Sequence, residues 1–450
     1  MVNFDEMKKS AIILILIMLP PFLAIAGKKR EVTFAPDSTS KNIFTLSGDF
    51  LFRGEYRDGG VAEDDESKDY AAFLLTRVML KLEYEHKWFS MRITPRFSGV
   101  WGQGNNGTFS LFEGWFQAKS RQGLFAKIGR QELSYDDERI IGSDDWTMLA
   151  SSHDVVKLGY DGKYHQVHAI VAYNQNLEKT IGGTFYIGGS QPYKTMQTLW
   201  YHFEVPQIPF GGSALFMNVG MQFGEPDDYK TIYQQLTGGY LCYHHEKYKA
   251  EASGYYQFGK HEEGLKLSAW MVSGKFTGAP TEKWQFSLGY DYLSGDKYFA
   301  VPAKGALGLV RHTVIRGFTP LFGSHHEFYG AMDFFYLSDY VGGFTPGLQN
   351  AYATLCYLPI PQVSISAEYH FMATGTNMST YHRGLKMPLG HMAVAEVAWK
   401  FAEGGKLAAG YTYMNGTETM QRLKKTDKPL HLHWVWLSIR YAPKFLNIGW

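Results

Sequence analysis

Between Ile43 and Tyr441 apolar and polar side chains alternate with a period of two, break at turns, and start again many times. Phe286, Leu288 and Tyr290 alternate with Gln285, Ser287, Gly289 and Asp291. Far downstream, Val363, Ile365, Ala367, Tyr369 and Phe371 alternate with Gln362, Ser364, Ser366, Glu368 and His370. That period belongs to β-strands with one apolar face and one wet face. Strands of soluble sandwiches average about 5 to 6 residues and fill the apolar face with Val, Ile and Leu. Here the runs reach about 10 residues and their apolar faces are rich in Tyr, Phe and Trp, as a lipid-facing wall with aromatic girdles requires. The predicted fold is all-β: a transmembrane antiparallel β-barrel in a single domain.

Composition points the same way. A length of 450 residues ordinarily suggests two or three soluble domains, but a closed barrel uses it as one unit. Aromatic residues make up 16% of the chain, alongside 48 Gly, which fits strands, girdles and turns better than helices. Beyond the N-terminal stretch no apolar run approaches the roughly 18 residues of a helical span, and mean hydropathy is negative. The net charge of +1, with no basic run of five or more, gives no reason to expect a nucleic-acid partner. Cys242 and Cys356 fall in separate predicted strands and read as packing residues.

The N-terminus supplies the compartment. Lys8 and Lys9 precede the apolar stretch Ala11 to Leu19, which leads through Pro20 and Pro21 to the small-residue triplet Ala24, Ile25, Ala26. This reads as a secretory signal peptide over residues 1–26, too short for a transmembrane anchor. Residues 27–42 then form a short periplasmic segment and residues 43–450 the barrel. An exported barrel belongs in the outer membrane of a Gram-negative bacterium, with outer-membrane lipid and the barrel assembly machinery as partners. The aromatic run Leu432 to Tyr441 and the terminal Trp450 resemble the assembly signal of such barrels.

Barrels of this class have short periplasmic turns and longer outside loops. Tight connections are predicted near Glu85–Trp88, Ser120–Gly123, Asp161–Lys163, Pro206–Gly212, His244–Lys247, Thr277–Lys283, Leu358–Pro361 and Ala402–Gly405. Longer polar loops lie between them, notably Asp58–Asp69, Glu132–His153, Asn174–Thr195, Ser294–Ser324, Ala373–Gly390 and Asn415–Lys428. Eight turns join nine hairpins, so about eighteen strands are expected, with both chain ends periplasmic. His326 to Tyr336 alternates well enough to be a nineteenth strand, but parity assigns it to an outside loop. Pro95 lacks a ladder donor and marks a bulge.

A Lys or Arg on the lipid face costs about 2 to 4 kcal/mol at the bilayer midplane, so the charged face of each strand must look into the lumen. That places Arg77, Lys81, Arg92, Arg96, Lys119, Lys127 and Lys157 inside, against only Glu83 and Glu113 over the same arc. The second half mixes Lys249, Glu251, Asp291, Glu368, Glu396, Lys400 and Arg440 with little excess of either sign. Rings of basic side chains in a water-filled lumen select anions by their local field. The other reading is that these charges pair with one another or with an inward loop. Strict alternation aims Arg130 at lipid, which a bulge or a wet strand end must relieve. Asp136, Asp137, Glu138, Asp144 and Asp145 make the following loop acidic, as Asp64, Asp65 and Glu66 do the first; such loops are read first as solvated, the alternative being bound calcium or divalent cations bridging surface lipids. No other cofactor is indicated.

The stretch Lys127 to Tyr160 resembles the alginate export family of outer-membrane barrels, in its Bacteroidetes-like branch. The matching features are Gly129, Arg130 and Gln131 closing a strand, Asp136, Asp137 and Arg139 in the loop, Trp146, and His153 and Asp154 opening the next strand. The resemblance implies an eighteen-stranded channel with a basic lumen, through which an acidic polysaccharide or oligosaccharide passes.

These readings converge on passive passage of an anionic solute, either a saccharide or a small anion, through a basic lumen. The alternative of the same architecture is a general diffusion porin or a surface-binding barrel without anion selectivity. An enzyme is not expected. Ser152, His153 and Asp154 are adjacent on a strand, so their side chains point to alternate faces and cannot form a relay. There is no H-E-x-x-H spacing and no phosphate loop. A plugged transporter would need about 22 strands and a separate plug.

Overall fold

The structure, a computed structural model, describes residues 42–58, 70–104, 107–261, 265–296, 314–333, 346–377, 386–423 and 429–450. The predicted signal peptide, all but the last residue of the 27–42 segment, and the acidic trio Asp64, Asp65 and Glu66 lie outside those residues.

The described residues form one sheet of twenty strands. In chain order these are β1 (Ile43–Asp58), β2 (Ala71–Glu85), β3 (Phe89–Val100), β4 (Thr108–Lys119), β5 (Leu124–Gln131), β6 (His153–Asp161) and β7 (His165–Tyr173). They continue with β8 (Thr195–Glu204), β9 (Phe210–Glu225), β10 (Asp228–His245), β11 (Tyr248–Lys260), β12 (Lys266–Thr281), β13 (Trp284–Leu293) and β14 (Val314–Ile315). The last are β15 (Leu348–Tyr357), β16 (Val363–Ala373), β17 (Pro388–Ala402), β18 (Gly405–Gly416), β19 (His431–Tyr441) and β20 (Lys444–Gly449). Eighteen of them build a closed antiparallel barrel, in which β1 pairs with both β2 and β19. The other two are accessories. β14 runs parallel to the start of β12, and β20 continues β19 past Pro443 to pair with the first residues of β1. Asn42 and Trp450 exchange backbone hydrogen bonds of 2.8 and 3.0 Å, so the two ends of the barrel meet at the short-turn rim.

All eight predicted tight connections lie at that rim, although β9 begins at Phe210 and β12 continues to Thr281, inside two of the predicted turns. The opposite rim carries the six predicted long loops and three connections of seven residues or fewer at 101–107, 226–227 and 261–265. Within the His326–Tyr336 segment a 3-10 turn covers His325–Glu327, no strand follows up to Asp333, and residues 334–336 lie outside the described part. The β3–β4 register shifts between Thr94 and Pro95, the bulge that proline imposes. Cys242 and Cys356 sit on β10 and β15 as free thiols.

Outward side chains such as Leu80, Ile93, Ile128, Leu158, Leu199, Leu288 and Leu437 are exposed around the wall. Inside, a continuous apolar core joins β6 to β19 with residues from three inward-folded loops, among them Leu133, Ile141, Phe318, Tyr329, Met420 and Leu423. The β6 to β19 side of the lumen is therefore packed, and the charged side chains of β1 to β5 form a separate sector of the wall.

Candidate functional site: a loop across the lumen

Residues 132–152, between β5 and β6, leave the rim and cross the barrel. Gly129 makes the departure, with φ +118 and a position where a Cβ would come within 2.2 Å of the Gly114 carbonyl oxygen. Arg130 and Asp154, register partners on β5 and β6, close a bidentate pair of 2.8 and 2.7 Å that neutralises the outward-aimed guanidinium. Leu133, Tyr135, Ile140 and Ile141 then join the buried cluster that includes Ile170, Met196, Trp200 and Met217, with the Tyr135 ring 4.9 Å from that of Trp200. Asp136, Glu138, Asp144 and Ala150 adopt positive φ, which turns the loop repeatedly and sends successive polar side chains to different walls.

On one side Tyr135 hydroxyl bonds His168 Nδ1 on β7 at 2.9 Å, and the Asp136 carboxylate accepts from Trp200 Nε1 on β8 at 3.1 Å and from Ser213 Oγ on β9. In the middle Arg139 pairs with Asp291 of β13 at 2.8 Å and with Asp137 at 3.0 Å. Its guanidinium is 2% exposed and stacks 4.1 Å over Phe328. On the far side Asp145 receives Arg77 Nη2 of β2 at 2.9 Å and Arg440 Nη1 of β19 at 2.6 Å. Arg77 Nη1 also donates to the carbonyls of Asp145 and Thr147, and Arg53 Nη1 of β1 donates to the carbonyl of Trp146. The Trp146 ring lies 4.1 Å from the Arg53 guanidinium, edge-on to Trp434 and Trp436.

A second inward segment, residues 314–333, locks onto the first. Gly142 N donates to the Phe322 carbonyl and Phe322 N to the Ile140 carbonyl. Ser324 Oγ donates to Glu138 Oε2 at 2.6 Å and accepts from the Asp144 amide. His326 stacks flat on Trp146 at 4.1 Å and bonds Asp333 at 2.9 Å. The two segments form one body that narrows the lumen beside β1 to β5.

The predicted basic arc is placed as follows. Arg77 is fully buried under Asp145, and Lys81 lies 3.7 Å from Asp49. Arg92 bridges Glu83 and Glu113, and Lys119 pairs with Glu85 at 2.7 Å. Arg96 donates to Ser110 Oγ at 3.1 Å with its guanidinium 5.2 Å over Phe112. Lys127 sits 3.7 Å over the Trp115 ring, and Lys157 lies between the Phe125 and Tyr135 rings at 5.7 and 5.9 Å. The motif residues Asp136, Asp137, Arg139 and Trp146 come together as anchors of the crossing loop. Gln131 is buried and donates to the Val155 carbonyl. His153 faces inward onto Tyr193 hydroxyl at 2.8 Å, whereas Asp154 binds Arg130 on the other face. Among the described residues no group of three or more His, Cys, Asp and Glu is placed to hold a metal ion.

The sequence reading missed the charged face of β1. Asp49 binds Arg440 through both oxygens, at 2.9 and 2.6 Å, and Arg53 and Arg57 share Glu55. The signal was there, because Asp49, Arg53, Glu55 and Arg57 alternate with Phe50, Phe52, Gly54 and Tyr56.

Electrostatics in the loop are uneven. Burial alone would raise the Asp145 carboxyl, but Arg440 and Arg77 outweigh it and hold it below the ordinary carboxylate range. Burial pushes the Asp137 carboxyl up to about 6, against the pull of Arg139. A carboxyl raised only when the loop is seated favours seating once protonated, so the seated loop gains stability as pH falls from above 6 toward the carboxyl's ordinary range. Single-channel current is expected to fall between pH 7 and pH 5. Asp137→Asn should remove that step, and an unchanged step would place the titration elsewhere.

No protein-family model matches the chain, and no curated protein matches it in sequence. Solved structures do match in fold. Pseudomonas aeruginosa OccK2 (OpdF) in complex with glucuronate is 11% identical at a TM-score of 0.59, covering 90% of this chain and 97% of its own. A BenF-like porin from Pseudomonas fluorescens Pf-5 is 11% identical at a TM-score of 0.59, covering 89% and 99%. OccK5 (OpdH) of Pseudomonas aeruginosa gives 11% and 0.56, covering 89% and 99%. The fold is that of the outer-membrane porins. The resemblance of Lys127 to Tyr160 to the alginate export family is not supported, and the structural neighbours point to a different porin group. Four of the residues that carried it, Asp136, Asp137, Arg139 and Trp146, serve here to seat the lumen-crossing loop.

Proposed function

We propose that the protein is an outer-membrane channel for passive passage of a small anionic solute along the basic sector of its wall. The observation that carries this reading is the crossing loop, which packs the β6 to β19 side with apolar side chains and leaves Lys81 and Arg92 on the other side, and Arg440 at the β19 edge, about a third exposed. Loops folded into a porin lumen set the size of what passes, and basic side chains along the remaining path set its sign. A loop seated from wall to wall favours a solute of monosaccharide size over a polysaccharide. One structural neighbour holds glucuronate, a carboxylate of that size.

General diffusion without anion preference is the second reading. It is favoured by the carboxylates that lie within 4 Å of Arg77, Lys81, Arg92 and Lys119. Reversal potentials across a planar bilayer in a salt gradient separate the two. The channel reading requires a potential of the sign set by permeant anions at low salt, and a potential at zero favours general diffusion.

The location is tested separately. After cleavage near Ala26 the protein should fractionate with outer membranes and migrate anomalously on SDS gels until boiled, as closed barrels do. Recovery from the soluble periplasm would contradict the barrel in its membrane.

A further inference from the structure

Asp145 occupies the place that a permeating carboxylate would take. Its two oxygens lie 2.9 Å from Arg77 Nη2 and 2.6 Å from Arg440 Nη1, one guanidinium from each of two strands separated by β1. This is the fork-shaped donor arrangement that recognises a planar carboxylate. The wall itself is built around the pair. Asp49, buried between them, binds Arg440 through both oxygens and lies 3.9 Å from Arg77, so the guanidinia are held in place from behind. Asp145 is different from Asp49 in two respects. It belongs to the loop and not to the wall, and its side chain is 36% exposed where that of Asp49 is 2% exposed.

The charges are also arranged for exchange. Arg77, Arg440 and Lys81 carry three positive charges against the two negative charges of Asp49 and Asp145. Withdrawal of Asp145 leaves the wall with an excess of two positive charges facing the lumen, a state that a solute carboxylate can neutralise.

We propose that Arg77 and Arg440 form a carboxylate-binding site in the lumen, and that Asp145 is a tethered occupant which a permeating carboxylate displaces. The proposal rests on the anion-channel reading for its link to transport. Displacement swings only the Asp145 side chain aside, while Arg77 and Arg53 keep hold of the 145–147 carbonyls, so the solute enters the site by exchange with one tethered carboxylate. The same competition makes the site selective, because a neutral sugar of equal size cannot replace Asp145 on two guanidinia.

The test is block of single-channel current by glucuronate in potassium chloride, with glucose as the neutral control. Asp145→Asn is expected to tighten glucuronate block about tenfold by removing the internal competitor, with no effect on glucose. Asp145→Glu should restore weak block. Arg440→Gln should weaken block about tenfold in the otherwise native protein, which keeps the test valid if Asp145→Asn does not insert. Equal glucuronate block in wild type and Asp145→Asn overturns the proposal, as does equal tightening for glucose, which would mean a wider passage and no site. Wild-type anion preference with no gain in Asp145→Asn sinks the site alone. Absent anion preference with a gain in Asp145→Asn sinks the channel reading and leaves the site standing.

Discussion

Replacing Arg139 by leucine is expected to release the crossing loop and raise single-channel conductance several-fold. Arg139 and Asp291 are both nearly inaccessible, and Asp291 is further held by Ser273 Oγ at 2.8 Å and Asn350 Nδ2 at 3.0 Å. Removing one partner of a buried pair leaves the other charge uncompensated, at a cost of about 3 to 5 kcal/mol. That is large compared with what seats a loop, whereas the wall's strand ladders are untouched. Arg139→Leu should therefore still show heat-modifiable mobility on a gel while its conductance rises. Adding Asp291→Asn removes the stranded charge and should recover much of the lost stability without restoring the anchor, so conductance stays high. A wild-type conductance in both variants would show that the apolar contacts of Leu133, Ile140 and Ile141 hold the loop without the ion pair.

Changing Arg96 and Lys127 together to glutamate is expected to invert or abolish anion preference. Among the described residues these two cations of the arc have no carboxylate within 4 Å, and each meets an aromatic face instead. The double change replaces two basic side chains with two acidic ones, and the field of each charge falls off over the Debye length, about 10 Å at 0.1 M and about 3 Å at 1 M salt. The shift in reversal potential should accordingly be large at low salt and shrink at 1 M. Lys81→Glu with Lys119→Glu is the comparison, since each lysine lies within 4 Å of a carboxylate and its charge is already partly offset. Equal shifts from both pairs of changes would show that pairing does not decide which charges a solute feels.

Much of the wall was legible because strand period and turn chemistry are local. Alternation in Gln285–Asp291 or Val363–Phe371 assigns each side chain to lipid or lumen, and the asymmetry of connection lengths counts the strands. Parity then excluded His326–Tyr336 from the wall, and the described part of that segment lies inside the barrel mouth. The β1 charges were legible by the same rule and were overlooked.

The site was not legible in the same way. That the 132–152 loop is acidic can be read directly, but an acidic loop in water and one threaded between arginines have the same sequence. Arg139 meets Asp291 and Asp145 meets Arg440 only because the barrel closes and brings β13 and β19 opposite the β5–β6 connection. By itself, then, the chain determines which residues face the lumen, since that depends on a two-residue period. Which of them remain charged toward a solute was decided by the tertiary structure. Pairing depends on distances across the lumen, and closure of the wall is what sets those distances.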